Sequence, residues 1–146
     1  MLLTLLACNL PPSDSAAPSA EWEVLASGLP GALLSVQARS LEHLYLFGAD
    51  ATGSPMLFFL DEDRWWELSL ASHGDLWWGF EWGEYLWVVG DGGRVLRLEG
   101  GQLAEEIVLD EMAVLFGIWG TDPENLYAVG SDGRPRMWHF DGAAWG

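Results

Sequence analysis

Short apolar stretches separated by turn-forming residues run along most of this chain. From residue 33 onward, segments rich in Val, Leu, Tyr, Phe and Trp alternate with clusters of Gly, Asp, Ser and Pro. The sequences GDGGR at 90–94 and GSDGR at 130–134 supply glycines for the positive φ angles of tight hairpin turns. No apolar period typical of an amphipathic helix is present. The pattern therefore predicts an all-β chain of short strands and turns.

The same apolar pattern occurs three times, at spacings of about 40 residues. HLYLFG at 43–48, EYLWVVG at 84–90 and NLYAVG at 125–130 align without gaps from their shared leucine onward. The aligned columns are Leu44, Leu86 and Leu126; Tyr45, Trp87 and Tyr127; and Gly48, Gly90 and Gly130.

Two further columns flank these segments in the same order. The downstream column is Leu60, Leu98 and Phe140, each followed by an acidic residue, and the upstream column is Val36, Phe80 and Ile118. Because three separate segments match in order, the chain contains an internal repeat. We expect the Val36 and Tyr45 columns to fill the space between neighbouring sheets.

Each repeat divides into strands that we label a to d. The first repeat predicts strands at 33–39, 43–48, 55–60 and 65–70, and the second at 76–82, 85–90, 94–99 and 103–109. The third predicts strands at 114–120, 125–130 and 136–140. WEVLA at 22–26 is similar to WELSL at 66–70, which predicts an additional strand d before the first repeat.

Four strands in about forty residues is the period of a β-propeller blade. The segment YAVGSDGRPRMWHFDGAAW at 127–145 resembles kelch-type repeats and related bacterial secreted propeller repeats. The resemblance covers most of 21–146 and implies about three four-stranded antiparallel blades, at 33–70, 76–109 and 114–146.

Three blades are fewer than the four or more of ordinary propellers. Three explanations stay open from the sequence. Strand 22–26 could complete the third blade, two chains could form a homodimer of six blades, or further C-terminal blades could belong to a longer protein. The fragment hypothesis also allows a chain with no function of its own.

The chain is strongly acidic, with 22 Asp and Glu against six basic residues and a formal net charge of −16. Such a charge repels phosphate groups, which excludes nucleic acid and anionic membrane surfaces as partners.

The N-terminus predicts export. Leu5-Leu6-Ala7-Cys8 resembles the lipobox of bacterial lipoproteins, in which the cysteine receives a lipid and the chain is cut before it. Residues 1–8 are thus a predicted signal segment and 9–20, rich in Pro, Ser and Ala, a predicted flexible tether. The apolar run is too short to span a bilayer. We expect a lipid-anchored protein of the cell envelope, at the outer membrane or in the periplasm, or a secreted one.

Enzyme motifs are absent from the sequence. The chain has no Lys, so P-loop and Schiff-base chemistry are excluded, and His43, His73 and His139 are too far apart in sequence for a metal-binding pair. Asp61 and Asp63 are interpreted as turn residues, as is the GDG at 90–92. The sequence predicts no enzymatic activity, no metal and no cofactor.

Binding residues are sought on strand a, which lines the central channel of a propeller. The candidates there are Gln37, Glu81 and Trp119, with Trp82 beside them, since Trp next to carboxylate and amide groups suits a sugar. Arg94 and Arg134, at equivalent positions after the b–c turns, form a second candidate pair. The sequence therefore predicts an exported binding module for a protein or glycan, with a lectin-like or sialidase-like carbohydrate-active propeller as the alternative.

The lipid anchor can be tested directly at Cys8. In bacteria that carry out lipoprotein modification, labelled fatty acid should enter the wild-type chain, expressed with its upstream codons. The Cys8→Ser variant should lose the label and become soluble, because the thiol is the attachment site. Membrane association that survives Cys8→Ser would contradict the lipoprotein prediction.

Overall fold

The computed structural model describes residues 21–62, 64–70 and 74–146. These residues form an all-β structure of eleven strands, and none of them belongs to a helix long and apolar enough to cross a bilayer. The strands lie where the apolar pattern predicts them. They are β1 Gly31–Ser40, β2 His43–Asp50, β3 Pro55–Asp61, β4 Arg64–Glu67, β5 Leu76–Trp82, β6 Tyr85–Gly90, β7 Arg94–Glu99, β8 Gln102–Val108, β9 Val114–Asp122, β10 Asn125–Ser131 and β11 Pro135–Phe140.

The strands form three antiparallel sheets, one for each sequence repeat. Sheet I has the order β1-β2-β3-β4, sheet II the order β5-β6-β7-β8, and sheet III the order β9-β10-β11. The first strands of neighbouring sheets lie against each other, β1 against β5 and β5 against β9, and we call them the inner strands. The series is open and does not close into a ring.

The repeated glycine of strand b is required by a close backbone approach. A Cβ atom at Gly48, Gly90 or Gly130 would collide with the carbonyl oxygen of Ala32, Asp75 or Val114 respectively, the residue that precedes its pairing partner on strand a. The same residue type is therefore needed in each repeat because the first two strands cross closely at the same place.

Neighbouring sheets pack face to face through unlike faces. Each sheet turns its Leu44-type column toward the preceding sheet and its Tyr45-type column toward the following one. The core between sheets I and II consists of Tyr45, Phe47, Leu57, Leu76, Leu86, Val88, Leu96 and Leu98. The core between sheets II and III consists of Phe80, Trp87, Val89, Val95, Leu115, Ile118 and Leu126.

The prediction that whole columns are buried is wrong at the two ends of the series. Val36, on the face of sheet I that has no preceding sheet, is 57% exposed, and Tyr127, on the face of sheet III that has no following sheet, is 37% exposed. The equivalent positions in the interior are buried because a second sheet covers them.

The predicted alignment of strand a is wrong by one residue in the second repeat. Val36 lies opposite Leu46 and Ile118 opposite Ala128, and the equivalent residue opposite Val88 is Gly79, not Phe80. A shift of one residue moves a side chain to the other face of a sheet.

Phe80 is consequently the true equivalent of Gln37 and Trp119, since these residues lie opposite Trp87, Tyr45 and Tyr127. Glu81, predicted to share their position, points instead toward sheet I.

The predicted strand at 22–26 does not form. Trp22, Val24 and Leu25 are exposed and unpaired within an extended segment before β1. At the other end, Trp145 forms a bridge with Phe140 in the place of a fourth strand of sheet III. Cys8, the tether at 9–20, Asp63 and His73 lie outside the described residues.

Burial predicts which tryptophans stabilise the fold. Trp87 is 3% exposed between sheets II and III, whereas Trp78 of the same sheet is 44% exposed. Trp87→Ala should lower the free energy of unfolding by about 3–5 kcal/mol, the usual cost of truncating a buried large aromatic. Trp78→Ala should cost about 1 kcal/mol. Urea denaturation of both variants measures the difference, and equal losses would mean that the sheet faces are wrongly assigned.

Candidate functional site

Two of the residues predicted on strand a lie beside the same aromatic ring. The ring centre of Phe80 is 6.3 Å from that of Trp82 and 6.1 Å from that of Trp119, which is 61% exposed. Glu81 faces the other side of sheet II, between sheets I and II, and Gln37 lies opposite Tyr45 on sheet I. The structure therefore brings Trp82 and Trp119 together beside Phe80 and places Glu81 and Gln37 elsewhere.

Glu81 has a structural role that its chemistry explains. Its Oε1 atom accepts from Arg39 Nη2 at 3.0 Å and from His43 Nε2 at 2.9 Å, and its side chain is 7% exposed. Arg39 Nη2 also donates to the carbonyl oxygen of Gly83 at 2.6 Å. A buried carboxylate that accepts hydrogen bonds from two residues of the neighbouring sheet links sheets I and II. Its hydrogen bonds are therefore made within the protein.

The two turn arginines also remain apart. Arg94 forms an ion pair with Glu106 on the adjacent strand of sheet II. Arg134 is exposed in the turn before β11, where its backbone nitrogen donates to Asp132 Oδ1 at 3.1 Å. They keep equivalent turn positions but belong to different sheets and share no cavity among those described.

A groove between sheets II and III is the larger of the two cavities described, with a volume of about 930 Å³. One wall comes from β6, β7 and β8 of sheet II. The other comes from β11 and the segment after it, and the a–b turn of sheet III closes one end. The lining side chains include Tyr85, Trp87, Arg97, Glu105, Ile107, Asp122, Glu124, Trp138, Phe140 and Trp145.

Strand register places three groove residues in one row across sheet II. Trp87 on β6 lies opposite Arg97 on β7, and Arg97 lies opposite Glu105 on β8. The equivalent row on sheet I is Tyr45, Phe59 and Trp66. Sheet II thus carries a cation and a carboxylate where sheet I carries two aromatic rings.

Arg97 is held in place at the groove wall by four neighbours. Its guanidinium lies 5.5 Å from the centre of the Tyr85 ring and 5.8 Å from that of Trp87, within the range of cation–π attraction. Its Nε donates to Glu105 Oε2 at 3.2 Å, and its Nη1 lies 3.6 Å from Glu99 Oε2. The ion pair is partly exposed, so polar atoms of a ligand can reach it.

The opposite wall is built by a turn that returns Trp145 to the sheet. Asp141 Oδ1 accepts from the backbone nitrogens of Ala143 at 3.0 Å and Ala144 at 2.9 Å. These hydrogen bonds, that from Ala144 first, hold the pKa of Asp141 below its ordinary value. The turn places Trp145 5.4 Å from the Phe140 ring, and both rings face the groove.

The groove walls contain unused hydrogen-bond donors. The indole nitrogens of Trp87 and Trp145 are buried and have no acceptor in the part of the chain that the structure describes. An unpaired buried donor costs about 1–3 kcal/mol. Small rotations of these rings toward a ligand oxygen would recover part of that free energy.

A smaller groove of about 560 Å³ lies at the equivalent place between sheets I and II. Its walls are mainly apolar side chains and backbone, including Phe59, Trp66, Leu68 and Leu98, with Gln102 and two acidic residues at the edge. No arginine lines it. The equivalent grooves therefore differ in chemistry, and of the two only the groove between sheets II and III combines neighbouring aromatic rings with an arginine–carboxylate ion pair.

Sequence reasoning missed this groove although a signal for it is present. Arg97 and Glu105 stand where Phe59 and Trp66 stand in the first repeat, and the third repeat has His139 at the position of Arg97. Aligning the c and d strands, as was done for strand b, would have singled them out. Within the described ranges no group of three or more His, Cys, Asp or Glu side chains is placed to hold a metal ion.

Ionisation of Tyr45 gives the sheet I–II contact a measurable pH dependence. Burial first, and then the charge of Glu81, raises the pKa of the Tyr45 hydroxyl to about 12 from the ordinary 10. The folded chain therefore holds this proton more tightly than the unfolded chain. The resulting stability is fully present below pH 10 and is lost as the pH rises toward 12.

A difference of two units between the pKa values of Tyr45 in the folded and unfolded chain corresponds to at most about 3 kcal/mol in the free energy of unfolding. The free energy of unfolding should fall by up to this amount across that window, with no lysine titrating beside it. Tyr45→Phe should flatten the fall, as measured by urea denaturation at successive pH values. An unchanged fall in Tyr45→Phe would place the titrating group elsewhere.

Comparison with known proteins identifies no relative of this chain. No protein-family model, no curated protein and no solved structure matches it. The kelch-type resemblance stays a prediction from the repeat, and the candidate site rests on its own geometry.

Proposed function

We propose that the three sheets are blades of a β-propeller and that the chain is an exported binding module. The first three strands follow the same order in all three sheets, and the inner strands of neighbouring sheets lie against each other, which supports this arrangement. In a propeller the blades lie close at their first strands and diverge toward the last. A groove between the outer strands of neighbouring blades follows from that geometry.

The proposed ligand is a neutral oligosaccharide bound in the groove between sheets II and III. The observation that carries this proposal is the facing of Trp138 and Trp145 across the groove from the row of Trp87, Arg97 and Glu105. Aromatic rings stack on the apolar faces of sugar rings, while the guanidinium and carboxylate bind hydroxyl groups.

The charge of the groove limits the class of sugar that is proposed to bind there. Glu105, Asp122 and Glu124 line the groove together with a single arginine, in a protein of net charge −16. Sulfated, phosphorylated or carboxylated sugars would be repelled. A basic peptide is the second candidate, because the same carboxylates would attract it.

The groove is proposed for binding, not for catalysis. A glycosidase needs one carboxyl group that holds a proton near neutral pH. The Glu105 carboxylate is paired with the Arg97 guanidinium at 3.2 Å, so it is already engaged in an ion pair. Its part is to position the arginine and to accept hydrogen bonds.

The proposed location is the cell envelope. Lipid attachment at Cys8 and a tether at 9–20 would hold the folded domain near the membrane by its N-terminus alone. In this position the groove meets extracellular or periplasmic glycans, and nucleic acid is no partner.

The proposal is tested by titrating the protein with neutral cello- and chito-oligosaccharides and with oligo-arginine, using tryptophan fluorescence and calorimetry. We expect a neutral sugar to bind. Arg97→Met and Glu105→Gln should each weaken binding about tenfold or more, because hydrogen bonds to charged groups contribute about 1.5–3 kcal/mol.

Trp66→Ala is the matched control, since Trp66 occupies the row position of Glu105 in the smaller groove. Its binding should equal that of the wild type. Binding of oligo-arginine alone would favour the peptide candidate. Absence of sugar binding, or equal losses in Trp66→Ala, would contradict the proposed site.

A further inference from the structure

The first sheet stands at one end of the described series, and one of its faces is partly exposed and has none of the other described sheets packed on it. We call it the leading face, because in sheets II and III the same face packs on the preceding sheet. Val36 and Trp65 on this face are 57% and 43% exposed. Strand pairing assigns to it Val36, Ala38, Leu44, Leu46, Met56, Phe58, Leu60, Trp65 and Glu67.

The third sheet ends the series with the opposite kind of face, which we call the trailing face. Met137 is 67% exposed and Val129 is 47% exposed there. Strand pairing assigns to it Trp119, Tyr127, Val129, Met137 and His139.

Both faces are built from positions that are buried in the interior of the series. The leading-face positions of sheet II include Leu86, Val88, Leu96 and Leu98, none more than 3% exposed. The trailing-face positions of sheets I and II include Phe47, Leu57, Val89 and Val95, none more than 1% exposed. Each contact between sheets within the chain joins one trailing face to one leading face. The two faces left open at the ends of the series are one of each type, as in those contacts.

We propose that the trailing face of one copy of this chain packs on the leading face of a second copy. The contact would repeat the two sheet-to-sheet contacts within the chain. Apart from Glu67, which lies at the position that Glu106 holds in sheet II, the residues assigned to the two faces carry no carboxylate, so apolar area can be buried with few like charges brought together.

Side-chain size supports this pairing at its centre. Between sheets I and II, Phe47 occupies the space over Gly79, where a Cβ atom would collide with the Phe47 ring. At the equivalent pair of positions between sheets II and III stand Val89 and Ile118, both in the core. Between copies the pair would be Val129 and Val36. In the contact between sheets I and II, a large phenylalanine side chain faces a glycine, which has no side chain. In the other two contacts, two side chains of medium size face each other. The space between the sheets is therefore filled in all three contacts.

The number of copies follows from closure. A head-to-tail contact either closes into a ring or continues as an open filament. The described residues of each copy contribute three sheets, and closed propellers typically contain four to eight. Two copies, giving six sheets, are the one multiple in that range. This step rests on the propeller arrangement proposed above, whereas the face-to-face contact rests on the strand registers alone.

The experiment measures the mass in solution of the full chain with Cys8→Ser, which removes lipid attachment. Sedimentation should give twice the chain mass of 16.1 kDa. Dimerisation should strengthen with salt, since two chains of net charge −16 repel each other. A monomer at micromolar concentration would overturn the proposal, and masses that keep rising with concentration would overturn the ring.

Charged variants distinguish this contact from a symmetric one. Val36→Glu and Val129→Arg should each produce monomers, and mixing the two should restore a dimer, because Arg would meet Glu at one contact while the other stays native. A dimer through two like faces would respond to only one variant and would not be restored. Met112→Arg, at a turn position 81% exposed, is the control and should remain dimeric.

Cross-linking gives a second measurement if a charged variant does not fold. The chain with Cys8→Ser, Val36→Cys and Val129→Cys should form inter-chain disulfides with oxidised glutathione, while either single cysteine on its own face should not. Failure to cross-link in a folded protein would overturn the proposed pairing. Because sugar binding is measured at a different surface, its loss and the loss of dimerisation are separate results.

Discussion

Trp87 is buried between two sheets, and this kind of contact supports the rest of the structure. A sheet with apolar side chains on both faces needs another layer on each side. Sheet II satisfies that requirement fully, with Leu86 and Val88 turned toward sheet I and Trp87 and Val89 toward sheet III. The repeat exists because each contact uses one leucine-rich face and one aromatic-rich face. Such a chain of unlike faces leaves one face of each kind open at its ends.

Polar groups appear where this packing leaves room for them. At the inner strands the sheets are close, and Glu81 is enclosed with two donors, Arg39 and His43, which satisfy it across the contact. At the outer strands the sheets separate, and Arg97 with Glu105 borders a groove open to solvent. Arginine and glutamate side chains therefore hold the sheets together at the inner strands and are accessible to a ligand at the outer strands. Distance between the sheets decides which role each has.

The proposed sugar groove and the proposed pairing of copies use different parts of one sheet geometry. The groove lies between two sheets that already pack, at the outer strands where the contact opens. The pairing surfaces lie on the sheets that lack a neighbour. Copies joined in a ring would create two more outer grooves, lined on one side by the trailing face with His139 and on the other by Trp65. Tyr127 stacks on His139 at 4.5 Å and would border them.

The sequence by itself determined the strands, their grouping and their turns. Alternating apolar residues and the recurring Gly48, Gly90 and Gly130 depend on local backbone geometry, which a pattern of residue types records. Faces and neighbours were decided only in the tertiary structure. The one-residue shift that exchanges Phe80 for Gly79 arises because β1 and β9 each have a second irregularity near the a–b turn, which β5 lacks, and the exposure of Val36 comes from the absence of a covering sheet. Neither feature is local, because which face is buried depends on what another part of the molecule, or another molecule, places against it.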